Sequence, residues 1–210
     1  MIGILRYMPE LPEVETIKRR LKELLPGKKI TQVDLFKDKS FIGDISELIG
    51  QEIIDIARKA KILRFHLPHN LNILTHLKMT GQLIFVDGDK RVGGGHPTAD
   101  FVKELPSKHT RIAYAFDDDS HLFFNDQRLF GWIKIVSDQE IDILYAPLGP
   151  DVNDPALTAE YLHSKLKNKS VPIKVAIMDN QIWCGLGNIY ACDALNLAKI
   201  DPRRPAKSLS

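Results

Sequence analysis

The octapeptide MPELPEVE, residues 8–15, sets two prolines and three carboxylates just ahead of an amphipathic segment. If translation starts at Met8, removal of that methionine, expected before a small residue, leaves Pro9 with a free secondary amine. An α-amino group of pKa about 7.7–8.0 is roughly 10–20% neutral at pH 7, whereas a lysine near 10.4 is well under about 0.1% neutral. Such an amine is a ready nucleophile toward a carbonyl-like carbon. The product would be a cationic iminium, an electron sink that acidifies the neighbouring C–H. Glu10, next in sequence, is placed to move protons in that reaction. A second reading stays open on these residues alone, since Pro9 and Pro12 also suit the start of a helix.

The elements that must position this chemistry follow from periodicity. Val14, Ile17, Leu21, Leu24 and Leu25 recur at helical spacing before Pro26-Gly27, which predicts a helix over about 12–25 with Glu13 and Glu15 at its positive end. Short segments rich in Ile, Val, Leu and Phe come next: KITQVDLF, EIIDIA, KILRFHL, LNILTHL, GQLIFV, RIAYAF, HLFFND and GWIKIV. Turn residues separate them and no helix intervenes, which predicts an antiparallel sandwich or barrel. RVGGGHPTADFVKELPSKH reads as a long surface loop. After Val136 the pattern becomes helical, in TAEYLHSKLKN, VPIKVAIMD and NIYACDALNLAKI. The expected fold is therefore α+β: an N-terminal helix and β-sandwich domain over 1–136, a linker over 137–150 and a helical domain over 151–210.

Charge separates the two halves. Residues 137–160 hold six acidic and no basic side chains, whereas 165–207 hold eight basic against three acidic ones. That local excess suits either a phosphate backbone or a solvated basic face. No apolar run approaches the roughly 18 residues of a membrane span, and MIGILRY is too short for a secretory signal, so a cytoplasmic protein is expected. Cys184 and Cys192 fit no zinc spacing and are expected as reduced thiols. His66, His69, His76, His96, His109, His121 and His163 are scattered without metal-ligand spacing, and no phosphate-binding loop or nucleotide-cofactor fingerprint is present.

Five fragments in order, MPELPEVE, RKAKIL (58–63), HLKMTG (76–81), NDQRLFG (125–131) and GLGNIYACDAL (185–195), together closely resemble the formamidopyrimidine-DNA glycosylase family, which also contains endonuclease VIII. Leu11 favours the formamidopyrimidine branch. The resemblance runs from Met8 to the end of the chain and implies a bifunctional base-excision repair enzyme. Such an enzyme excises oxidised purines such as formamidopyrimidine and 8-oxoguanine, then cuts the strand by β,δ-elimination. It implies Pro9 as the nucleophile at C1′ of the damaged nucleotide, Glu10 as acid/base and Glu13 as a supporting carboxylate. Lys61 and Asn188 would hold phosphate, Asn188 from a helix–two-turn–helix element. Met79 would fill the void left by the flipped nucleotide, and Arg128 and Phe130 would contact the orphaned base and wedge the next step. Without the resemblance, Lys61 reads as a solvated lysine, Met79 and Phe130 as core, and Asn188 as a helix cap. The implied partner is double-stranded DNA bearing oxidised purines or abasic sites, bound by a monomer at a bacterial nucleoid.

Two departures from the family pattern carry expectations. MIGILRY precedes Met8 and would acylate Pro9 if retained, leaving a non-catalytic damaged-DNA-binding module as the alternative. Family members continue beyond the equivalent of RPAKSLS to a four-cysteine zinc finger. No cofactor or metal is expected in the present 210 residues, and DNA binding is expected to be weaker and more salt-sensitive. Asp193 stands where the family more often has Glu, and the 91–108 loop has no counterpart.

Overall fold

The computed structural model describes residues 8–209, so MIGILRY lies outside the described residues. The chain divides into two units, one through Ile141 and one from Asp142 onward.

The first unit opens with α1 (Leu11–Lys22), with Glu10 as its N-cap and Pro12 in its first turn. The Glu10 N–H, at the N-cap, donates to the Glu13 side chain, Oε2, at 2.9 Å in a capping box. Leu11, Val14, Ile17 and Leu21 form the buried stripe, each worth roughly 1.5–3 kcal/mol over exposure. The helix ends before the predicted 25, because Pro26 disfavours helical backbone at the preceding residue. Leu25 is nevertheless fully buried from the following turn.

Ten strands follow: β1 (Ile30–Leu35), β2 (Phe41–Ile42), β3 (Asp55–Lys59), β4 (Ile62–His66), β5 (Leu71–His76), β6 (Gly81–Asp87), β7 (Lys90–Gly95), β8 (Thr110–Phe116), β9 (His121–Asp126) and β10 (Trp132–Ser137). They make two five-stranded sheets, ordered β1-β8-β9-β6-β7 and β2-β10-β5-β4-β3. Pairing is antiparallel except for the short parallel β10–β2 contact. One apolar core takes Ile30, Leu83, Phe85 and Ile112 from the first sheet, Ile56, Leu63, Phe65 and Ile133 from the second, and Val14, Ile17 and Leu21 from α1. This is the expected α+β architecture. α1 lies against β7 and β3, an edge strand of each sheet, so the helix also shields two edges from stray pairing.

Two stretches differ from expectation. The start of the predicted 91–108 loop is β7, paired residue for residue with β6. Its glycines are there for close approach rather than slackness. A Cβ on Gly94 would lie 3.2 Å from Ile17 Cγ1, and Gly95, at φ +121°, would place one 2.3 Å from the Gly81 carbonyl oxygen. The stretch 137–150, expected as linker, contains α2 (Asp138–Tyr145), where the Ser137 N–H and hydroxyl donate to Glu140 Oε2 at 2.7 and 2.9 Å and the Glu140 N–H donates back to Ser137 Oγ at 3.3 Å.

The second unit carries α3 (Ala159–Leu166), α4 (Ile173–Ile177) and α5 (Asn188–Leu197) around a small core of Leu166, Ile173, Ala176, Ile177, Ile182, Ala191 and Leu195. Thr158 caps α3 through the Tyr161 N–H at 3.2 Å. Of the three acids in the basic stretch, Asp179 pairs with Lys169 and Asp201 with Arg203, so part of the positive excess is neutralised locally. No helix among the described residues is long and apolar enough to cross a membrane.

Ile17 is 1% exposed and packs beneath the glycines of β7. Ile17→Ala is therefore expected to lower unfolding free energy by about 2–5 kcal/mol, read from chemical denaturation, while Arg19→Ala on the solvent face of α1 changes it by less than about 0.5 kcal/mol.

Candidate active site

Pro9 and Glu10 are both buried at the start of α1, and Glu10 has no exposed surface. Glu13, one turn later, is half-buried and bonded to the Glu10 backbone. The helix is anchored through Glu15, which binds Lys18 and Arg19 on its own helix and Arg58 of β3 at 2.8–2.9 Å. Burial alone would raise the Glu15 pKa, but the hydrogen bonds from Lys18, Arg58 and Arg19 hold it at about 2. Arg58 Nη1 also donates to the Ala60 carbonyl at 2.7 Å. Ala60 has φ +53° and is the first residue of the tight β3–β4 turn whose second residue is Lys61. One buried guanidinium thus links the helix carrying Pro9 and Glu10 to the turn carrying Lys61.

Lys61 is not the solvated lysine of the plain reading. Burial pushes its pKa below the ordinary lysine value, the charges of Glu10 and Glu13 oppose that shift, and Lys78 adds to it. The structure therefore brings Pro9, Glu10, Glu13 and Lys61 together. Lys61 keeps part of its surface exposed, so its ammonium can still meet a phosphate.

The loop 77–80 connects β5 to β6 and carries Lys78 and Met79. Lys78, at φ +50°, donates its N–H to His76 Nδ1 at 2.9 Å. Burial, with the charges of Lys78 and Lys61, drives the His76 pKa down to about 3. His76 is thus neutral with Nδ1 accepting, so its proton sits on Nε2, while its ring lies 5.6 Å from that of Trp132. In the sequence His76 lies beside the Met79 motif with packing or hydrogen bonding as its expected role, and it does both here.

Met79 and Phe130 are 37% and 47% exposed, contrary to the core packing that their residue types alone suggest. Arg128 lies on the connection from β9 to β10 with its guanidinium carbon 4.8 Å from the centre of the Phe130 ring. Its backbone N–H donates to Thr80 Oγ1 at 3.0 Å, so the Met79 and Arg128–Phe130 loops are neighbours.

Asn188 belongs to the second unit. It is exposed as the first residue of α5, behind the N-cap Gly187 and behind Gly185 at φ +102°. A helix start with small residues before it presents backbone N–H groups suited to an anion. The two cysteines do not fit a four-thiolate zinc set: Cys184 is buried with Sγ 3.4 Å from the Gly149 carbonyl, and Cys192 is exposed. Among the described residues no group of three or more His, Cys, Asp or Glu is arranged to hold a metal.

A helix-led β-sandwich with a proline and glutamate at the helix start, followed by a unit with a glycine-capped helix, defines a known class. Residues 8–133 match the formamidopyrimidine-DNA glycosylase N-terminal domain, and residues 148–210 match the formamidopyrimidine-DNA glycosylase H2TH domain. The chain is 36% identical over 212 residues to the formamidopyrimidine-DNA glycosylase of Agrobacterium fabrum, covering 96% of this chain and 71% of that protein. It is 37% identical over 212 residues to that of Desulforamulus reducens, covering 97% and 71%. Among solved structures it is similar to Lactococcus lactis Fpg in complex with abasic-site DNA, with TM-score 0.81, 27% identity and coverage of 96% and 71%. A complex of the wild-type Lactococcus lactis protein with DNA containing an oxidised pyrimidine gives TM-score 0.82 at 28% identity, covering 96% and 73%. The chain belongs to the formamidopyrimidine-DNA glycosylase family.

The low pKa of His76 sets a pH dependence. His76 is neutral in the folded chain but protonates near 6.5 once unfolded, so its contribution is intact above about 6.5 and is lost as pH falls toward about 3. Thermal unfolding of His76→Gln is expected to show a flatter decline than wild type between pH 6.5 and 5, above the ordinary range of the carboxylates. Parallel curves over that interval would remove His76 as the cause.

Proposed function

We propose that this chain is a DNA glycosylase of base excision repair that removes oxidised purines, formamidopyrimidine and 8-oxoguanine, from double-stranded DNA and then cleaves the strand as an AP lyase. The observation that carries the reading is the gathering of Pro9, Glu10, Glu13 and Lys61 around the start of α1. The relatives' names, and the abasic-site, Fapy-dG and oxidised-pyrimidine DNA held by similar Lactococcus lactis structures, support damaged DNA as the substrate.

The chemistry requires the Pro9 nitrogen to be free. Its lone pair attacks C1′, the glycosidic bond breaks, and the base leaves with a proton. The sugar ring opens to an iminium, which acidifies the C2′ hydrogens. Loss of a C2′ proton expels the 3′ phosphate, and a second elimination expels the 5′ phosphate. Glu10 moves the protons of ring opening and elimination, at the ring oxygen and C2′, with Glu13 holding its backbone. Lys61 and Asn188 hold phosphates, and the neutral His76 offers its Nε2 proton beside Lys61. Met79 fills the space vacated by the extruded nucleotide while Arg128 and Phe130 engage the opposite base and the adjoining step.

A second reading has its own observation: in the 210-residue sequence Pro9 is joined to Met8, and an amide nitrogen cannot attack. In that form the chain is a damaged-DNA-binding module. Comparison of forms starting at Met1 and at Pro9 on a duplex containing 8-oxoguanine tests both. The Pro9-terminal form is expected to leave a one-nucleotide gap with phosphate on both sides, and the Met1-terminal form to bind without cutting. Base release without strand cleavage from the Pro9 form would remove the lyase, and no release at all would remove the enzyme. For Lys61→Ala, the slope of log affinity against log salt should become shallower by about 1.

A further inference from the structure

The Met79 and Arg128–Phe130 loops come from different connections of the sandwich, yet to act on one gap in a duplex they must keep a fixed spacing. The group between them is Asp126, the last residue of β9 and fully buried. Its Oδ1 accepts the Thr80 hydroxyl, one residue beyond Met79, and the Arg128 N–H at 3.2 Å. Its Oδ2 accepts the Gly131 N–H, one residue beyond Phe130, at 2.7 Å. Its backbone is held as well, the N–H by the His109 carbonyl at 2.9 Å and the carbonyl by Arg111 Nε at 2.7 Å. Between the two pinned amides Leu129 sits at φ +57°, a conformation that persists only where its surroundings enforce it.

We infer that Asp126 is a positioning residue that fixes the spacing of the void-filling Met79 to the wedge formed by Arg128 and Phe130, and so sets the preference for a gapped duplex over an intact one. The inference rests on the functional reading above. Three donors from two loops meet one carboxylate, so neither loop can shift without breaking a buried hydrogen bond. Meanwhile Met79 and Phe130, both apolar, are held out into solvent. Preformed loops spare the ordering that two flexible ones would undergo on entering the stack.

Asp126→Asn keeps the shape but replaces one acceptor with an NH2 group facing N–H and O–H donors. Thr80→Val removes only the hydroxyl link between the loops. The full chain is titrated against three labelled DNAs: a duplex with a tetrahydrofuran abasic analogue, the intact duplex, and the tetrahydrofuran strand alone. Wild type is expected to prefer the abasic duplex over the intact one. Asp126→Asn should lower that preference by about tenfold or more, the equivalent of about 1.4 kcal/mol, and Thr80→Val by a smaller factor. Affinity for the single strand, which has no stack to fill, should change by less than about twofold in both, and thermal melting checks that each variant folds. An equal loss on duplex and single strand, or an unchanged preference in a folded Thr80→Val together with Asp126→Asn, would overturn the inference. A wild type without preference for the abasic duplex would reject the functional reading itself, and the role of Asp126 with it.

Discussion

The buried start of α1 is the constraint on which the rest depends. In the proposed reaction Pro9 acts as a terminal amine, and its position would then come from the residues on its C-terminal side. Here those residues form a helix whose N-cap amide is held by Glu13, whose inner stripe sits in the sandwich core, and whose outer flank is tied to β3 through Glu15 and Arg58. The same Arg58 fixes the Ala60 carbonyl, and hence the turn that presents Lys61. Buried ion pairs add little net stability because desolvation offsets their attraction. Their value here is geometric, since the Glu15–Arg58 pair joins the helix to the sheet.

Electrostatics gives the two sides of this region different duties. Glu10 and Glu13 oppose the effect of burial on Lys61, and burial, helped by Lys78 and Lys61, keeps His76 uncharged. The carboxylates thus gather at the helix start beside Lys61. Farther along the sandwich, apolar and cationic side chains replace carboxylates, with Met79, Arg128 and Phe130 on neighbouring loops. That order, carboxylates beside a part-buried lysine and then exposed apolar and cationic side chains, suits the proposed reaction on a nucleotide held outside its helix.

Much of the frame was legible in the sequence because it rests on local periodicity: α1, eight of the strands, and the three helices of the second unit. β7 was not, since three glycines carry no strand signal, and their purpose, room for Ile17 and for the Gly81 carbonyl, exists only once α1 and β6 have come together. α2 hid in a stretch whose later Pro and Gly residues read as linker. At the site, ordered motifs marked Pro9, Glu10, Glu13, Lys61, Met79, Arg128, Phe130 and Asn188, whereas local physics favoured bland roles for most of them. The supports escaped entirely. Arg58 and Glu15 are 43 positions apart, and Thr80 and Asp126 are 46 apart. No spacing rule reaches across such distances.

The central claim is that a single nitrogen, that of Pro9, bonds to the damaged sugar. Reduction of the Pro9-terminal form with borohydride on abasic-site DNA, followed by proteolysis and tandem mass spectrometry of the DNA-linked peptide, reads that atom directly. The account predicts a sugar remnant on the N-terminal peptide beginning PELPEVE, located on its first residue. A remnant located on Lys61 or another lysine, with an unmodified N-terminal peptide, would contradict it.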